Sequence, residues 1–179
     1  MSALDMFPET RVDPAEDPDR RYTTPETMAL CMKLAGVTEW DLDVAADEES
    51  HWAPKWFGIA QDGLIQSWLY PVNHFGPWRI WCNPPFSDIA PWLERAWRFY
   101  GAMKFKPNFT MAMLLPANRT EQPWWQEYVE QWRDGRHPDL VPHTHFLPTR
   151  VRYGHPGNPK GIRAGSPPFA SVLLVWRST

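Results

Sequence analysis

The sharpest chemistry in the sequence lies in Trp81-Cys82-Asn83-Pro84-Pro85-Phe86-Ser87. The Asn83 side-chain oxygen and the Pro84 carbonyl oxygen are two acceptors one residue apart, each able to take one hydrogen of an amino group. An amine conjugated to a ring or a carbonyl is a poor nucleophile, because its lone pair is delocalised. Two such acceptors pull the nitrogen toward tetrahedral geometry and aim that pair at an electrophile. Pro84 and Pro85 make the turn rigid and, lacking amide hydrogens, leave no backbone donor to repel the amine. Positive charge growing on the nitrogen strengthens both hydrogen bonds, the differential stabilisation that catalysis requires. Phe86 adds a flat apolar face beside the two acceptors.

Such a turn must be held between regular elements. Trp78 to Cys82 reads as a strand stopping at Asn83, and Ser87 or Asp88 can cap a following helix that tolerates Pro91 in its first turn and stops at Gly101. Ile89, Trp92, Leu93, Ala96, Trp97 and Tyr100 make its apolar face. Upstream, Thr24 in the cap position, Pro25 and Glu26 start a helix to Gly36, with Met28, Cys31, Met32 and Ala35 on one stripe. Leu42 to Ala46 reads as a short strand ending in small residues. Phe109 to Leu115, closed by Pro116, is a continuous apolar run covered on both sides, Thr120 or Glu121 starts a helix striped by Trp125, Tyr128, Val129 and Trp132, and Ser171 to Trp176 is a last buried strand. This alternation predicts an α/β fold with a mainly parallel sheet flanked by helices, its ligand beyond the carboxyl ends of the strands.

At 179 residues, 43% hydrophobic and 22% charged, the chain can bury its own core, which excludes a disordered, collagenous or coiled-coil protein. Residues 1–21 are acidic and poor in apolar side chains, an irregular arm, with one domain expected over residues 22–179. Cys31 and Cys82 form no ligand pair, and Cys82, at the end of an apolar strand, reads as a buried thiol rather than a nucleophile. His137, His143, His145 and His155 are candidate ligands by type, but His143-Thr144-His145 has no cysteine or carboxylate partner at ligand spacing, so no metal is expected. No apolar run is long enough for a membrane span, and no leader precedes the fold, so a cytoplasmic protein is expected. Residues 1–62 carry 14 acidic and 5 basic side chains, whereas residues 63–179 carry 7 and 13. Positive charge gathered in the second part can meet a polyanion although the whole chain is acidic.

Asn83-Pro84-Pro85-Phe86 resembles the (Asp/Asn/Ser)-Pro-Pro-(Tyr/Phe) motif of S-adenosylmethionine-dependent methyltransferases that modify exocyclic or amide nitrogen. Thr23-Thr24-Pro25, Leu42 to Asp47, Asp62-Gly63-Leu64, Asn83 to Ile89, Met113 to Ala117 and Pro168 to Ser171 are similar, in this order, to the small phage-type DNA adenine methyltransferases. The resemblance covers about residues 22 to 176. It implies a Rossmann-like methyltransferase fold, S-adenosylmethionine as cofactor, double-stranded DNA as partner, and a phage or prophage origin with action in a bacterial cytoplasm. It also implies direct methyl transfer to a flipped-out adenine, with Asn83 and Pro84 orienting the amine, Pro85 stiffening the turn and Phe86 stacking the base, worth about 1–3 kcal/mol in single-strand systems. Phenylalanine stands where tyrosine is usual. Asp43, Ala45, Thr23 and Thr24 then border the methionine part of the cofactor, and Asp62 its adenosine part, although the turn after Leu42 lacks the usual glycines. Arg150, Arg152, Lys160 and Arg163 are the expected DNA contacts, on loops that must also read the target sequence. The same amine chemistry fits RNA or a protein glutamine amide, and an idle DNA-binding relative is the remaining alternative.

Overall fold

Two apolar runs set the centre of the fold. Phe109–Pro116 and Ser171–Arg177 pair antiparallel, from Thr110↔Arg177 to Pro116↔Ser171. Because side chains alternate across a strand, Met111, Met113, Leu115, Val172, Leu174 and Trp176 pack on one face. Ala112, Leu114, Leu173 and Val175 pack on the other. Both faces are covered, which is why neither run carries a polar alternation.

In this computed structural model, which describes residues 19–69, 78–136, 141–158 and 169–179, the chain order is β1 (Tyr22–Thr23), α1 (Pro25–Ala35), β2 (Leu42–Asp43), β3 (Lys55–Trp56), β4 (Trp78–Cys82), α2 (Ala90–Met103), β5 (Phe109–Pro116), α3 (Pro123–Trp125), β6 (His143–Phe146), β7 (Tyr153–Gly154) and β8 (Ser171–Arg177). A six-stranded sheet has the order β3-β2-β4-β5-β8-β6, with α1 against one face and α2 and α3 against the other. β1 and β7 form a separate antiparallel pair. No described helix is long and apolar enough to cross a membrane.

The expected α/β fold with helices on both faces of the sheet is present, and the sheet is mixed. β3, β2, β4 and β5 run parallel, whereas β8 is antiparallel to both β5 and β6. An apolar run reports burial on two faces and carries no information on direction.

Local chemistry explains the shifted boundaries. β2 stops at Asp43, not Ala46, because the Asp43 carboxylate accepts the Ala45 amide and bends the chain. α1 has Thr24 at its cap position, but the Thr24 hydroxyl pairs with the Thr27 hydroxyl at 3.1 Å and caps no amide. Gly36, at φ 67°, ends α1. α2 begins after Ile89, whose carbonyl accepts the Trp92 and Leu93 amides, rather than at Ser87 or Asp88. It runs past Gly101 to Met103, and the left-handed turn falls at Asn108, φ 60°. The helix expected from Thr120 or Glu121 begins at Pro123 and widens into a π-turn over Gln126–Glu130. Trp125 then donates its indole N–H to the Glu130 carboxylate at 3.0 Å. β1, β3, β6 and β7, of two to four residues each, had no counterpart in the sequence pattern.

Candidate active site

Parallel strands end together, so β2, β3 and β4 deliver their following loops to one place. The Val44 amide donates to the Trp81 carbonyl, the Phe57 amide to the Asp43 carbonyl and the Ala46 amide to the Phe57 carbonyl. Beyond these ends lies a cavity of about 430 Å³, within the usual size of a small-molecule site. Its walls include Asp43 to Asp47 at the end of β2, Phe57 to Leu64 after β3 (excepting the two residues Ala60 and Gln61), Asn83, Pro85 and Asp88 after β4, Trp92 from α2, and Asp19 to Thr23 ahead of α1.

The acceptor turn forms as its sequence dictates. Asn83 lines the cavity and donates its side-chain N–H to the Arg21 carbonyl at 2.7 Å, while its side-chain oxygen is buried with no hydrogen-bond partner among the described residues. An unpartnered buried acceptor costs about 1–3 kcal/mol, a penalty relieved by a ligand N–H. Pro85 lines the cavity and Pro84 is buried. Arg119 donates to the Phe86 carbonyl at 2.8 Å, and the Ser87 amide donates to Asp19, so the peptide that closes the turn is held on both its sides.

Phe86 is placed differently from expectation. It is buried outside the cavity lining, with Tyr153 and Phe169 edge-on at 6.1 and 5.9 Å. The Arg21 guanidinium lies over its ring at 5.6 Å, and within 5.9 and 5.5 Å of the other two. A planar ligand can stack on Phe86 only where this side chain yields the face.

Of the expected cofactor residues, Thr23, Asp43, Ala45 and Asp62 line the cavity and Thr24 does not. The Thr23 hydroxyl is another buried polar atom with no partner among the described residues. Asp43 accepts the Trp52 amide at 3.1 Å and the Ala45 amide at 3.4 Å, tying the loop after β2 to itself. Asp62 is exposed at φ 53° and accepts the Leu64 amide at 3.0 Å, closing a turn that presents Gly63 to the cavity. A Cβ on Gly63 would stand 1.9 Å from the Val44 carbonyl oxygen and 3.1 Å from the Trp92 ring. Arg150 and Arg152 are exposed between β6 and β7, away from the cavity lining, whereas Lys160 and Arg163 lie outside the described residues.

Sequence reasoning missed Arg20, Arg21 and Gly63. The first two were absorbed into the acidic arm, of which residues 1–18 lie outside the described residues. Their signal was a pair of cations in an otherwise acidic run next to Thr23-Thr24-Pro25. Arg20 pairs with Asp47. Burial pushes the Asp47 carboxyl up, yet the hydrogen bonds from Arg20, the Glu49 amide and Tyr22, with the Arg20 charge, together outweigh it and hold the group below its ordinary range. Asp19, Asp47, Asp62 and Asp88 outnumber Arg20 and Arg21 around the cavity, which suits a ligand bearing positive charge.

Burial pushes the Asp43 carboxyl up to about 7, against the two amides that favour its anion. The folded chain therefore keeps a proton that the unfolded chain loses at an ordinary carboxyl pKa. Stability from this group is complete below about pH 4 and is lost as pH rises through about 7. Thermal unfolding between pH 5 and 8 should show this decline in the wild type and a flatter one in Asp43→Asn. An equally steep decline in the variant would remove Asp43 as its source. Both cysteines are buried, and burial pushes the Cys31 thiol up to about 12 and holds the Cys82 thiol well above its ordinary value. Neither is a nucleophile in this state.

The family described as DNA N-6-adenine-methyltransferase (Dam) matches residues 13–141, more than half of the chain and all of the cavity's walls. No curated protein and no solved structure matches.

Proposed function

This chain belongs to the DNA N-6-adenine-methyltransferase (Dam) family, and on that premise we propose that it transfers a methyl group from S-adenosylmethionine to the amino nitrogen of a flipped-out adenine in double-stranded DNA. The general activity, DNA adenine N6 methylation, follows from the family. One observation carries the finer reading: Asn83, in the motif suited to an aromatic amine, holds an unpartnered acceptor at the wall of a cavity of ligand size.

The residues around the cavity fit the cofactor. The unpartnered Thr23 hydroxyl offers a polar contact, Ala45 and Ala46 leave space for close approach, and the excess of carboxylates favours a cationic ligand. When bound, S-adenosylmethionine supplies an electrophilic methyl group on a sulfonium. Asn83 and the Pro84 carbonyl accept the two amino hydrogens and orient the lone pair, and their hydrogen bonds strengthen as the nitrogen gains charge. The target base takes the Phe86 face as the Arg21 side chain withdraws, freeing a guanidinium to meet phosphate. Its main chain stays in place, because the adjoining Tyr22 and Thr23 are paired with Gly154 and Tyr153.

In this reading the mixed sheet is a Rossmann-like methyltransferase fold carried by residues 22–179 as one domain. Residues 1–21 form its arm, Arg150, Arg152, Lys160 and Arg163 contact DNA, and the enzyme works in a bacterial cytoplasm, phage or prophage encoded. Methyl incorporation into DNA, RNA and protein from labelled S-adenosylmethionine tests it. Label confined to DNA, at adenine N6, is expected. Label in RNA or in glutamine would replace the substrate, and calorimetry without cofactor binding would leave an idle DNA-binding relative.

A further inference from the structure

Asparagine has two faces, a donor amide and an acceptor oxygen, and only the second can serve a substrate amine. Something must choose between them. The group facing Asn83 is the Arg21 main-chain carbonyl, which can only accept and takes the side-chain N–H at 2.7 Å. We propose that the Arg21 carbonyl is a positioning group that fixes the orientation of the Asn83 amide, and that it is the reason this site carries asparagine rather than aspartate.

The inference rests on the methyl-transfer reading above and deepens it. With the amide reversed, two oxygens would face each other at hydrogen-bond distance and the N–H would be turned to the substrate, repelling its amino group. The observed orientation instead leaves the Asn83 oxygen as the buried, partnerless atom. The carbonyl itself is placed from both sides. After it, Tyr22 and Thr23 are hydrogen-bonded into the pair with β7; before it, Asp19 is held by the Ser87 amide and Arg20 by Asp47. An acceptor fixed before substrate arrives needs no reorganisation during the reaction.

A carboxyl at position 83 reads this arrangement out. Ionised, it presents an oxygen to the Arg21 carbonyl and cannot adopt the geometry of the amide. Protonated, it donates to that carbonyl and keeps its other oxygen as acceptor, reproducing asparagine. The charged groups around the same cavity are Asp19, Arg20 and Arg21 ahead of α1, Asp43 and Asp47 after β2, Asp62 after β3, and Asp88 before α2. Asp43 titrates in both proteins, so the ratio of variant to wild type is the quantity to follow.

The experiment compares Asn83→Asp, Asn83→Ala and wild type from pH 6 to 8, by single-turnover methyl transfer to DNA and by thermal unfolding without DNA or cofactor. In Asn83→Asp the rate relative to wild type should fall at least about tenfold across that range, because ionisation of one carboxyl removes the competent form. In Asn83→Ala the relative rate should stay flat. The unfolding temperature of Asn83→Asp should also decline relative to wild type as pH rises, since a proton held in the folded state favours folding below the folded pKa. A flat relative rate for Asn83→Asp overturns the inference, even where the unfolding temperature declines, because the contact then exists without positioning the acceptor. Wild type without methyl transfer to any substrate would instead defeat the proposed function. The unfolding comparison still judges the Arg21 contact in that case, and a flat difference there rejects it.

Discussion

Replacing Asn83 with alanine is expected to lower the rate of methyl transfer at least about tenfold while leaving cofactor affinity nearly unchanged. The basis is that one hydrogen bond made more strongly in the transition state than in the ground state is worth over ~1.4 kcal/mol. The selectivity of the effect follows from geometry. The Asn83 oxygen has no partner among the described residues, so within the unliganded protein the alanine variant loses the hydrogen bond from the Asn83 side-chain N–H to the Arg21 carbonyl and no contact of the acceptor. Apart from Asp88, the charged residues that suit the cofactor lie on other elements, after β2 and β3 and ahead of α1. Single-turnover rates with saturating DNA, beside calorimetry with S-adenosylmethionine, separate the two quantities. A variant that turns over at the wild-type rate would exclude Asn83 from the chemistry, and one that loses cofactor binding equally would make it a cofactor residue.

The second large effect is expected from Gly63→Ala. A methyl group there meets the Val44 carbonyl oxygen at 1.9 Å, and that oxygen belongs to backbone pinned by the Val44 amide to Trp81. Trp92 closes the other side at 3.1 Å. Neither neighbour is the free end of a flexible chain, so the turn after β3 must separate from the end of β2. Overpacking of this kind costs about 3 kcal/mol or more. For a chain of this size that lowers the unfolding temperature by roughly 6–12 °C. Because the displaced turn carries Asp62 and Leu64 on the cavity wall, cofactor affinity should fall as well. An unfolding temperature within a degree or so of wild type would mean that the two loops are not held against each other.

These two positions differ in how far the sequence announced them. Asn83 was legible because its chemistry is local: strand, acceptor and two prolines follow one another without a gap from Trp78 to Pro85. Gly63 was read only as a neighbour of Asp62, since what makes it glycine is a carbonyl nineteen positions earlier. The same division runs through the fold. β4, β5 and β8 were visible as apolar runs, and α1 through its proline start and glycine stop. The short strands are created by their partners rather than by their own side chains. β1 exists because Tyr153 and Gly154 pair with it, and this pairing, with no trace in local pattern, brings Arg21 onto Phe86 and Asn83. Phe86 was rightly placed beside the acceptors, but a stacking surface in sequence does not reveal which side chain occupies its face. Thr24 was rightly put at the head of α1 and for that reason turns its hydroxyl to Thr27, away from the cavity.

The position of β8 between β5 and β6 bears on how the molecule is made. β5 leaves the ribosome long before the strand that pairs along its whole length, and two further strands are synthesised in between. Until then an uncharged strand edge stands open in the nascent polypeptide, a template for pairing with a neighbouring chain. A slow translation stretch after Pro116 should therefore lower the soluble yield, whereas a chaperone that shields strand edges should restore it.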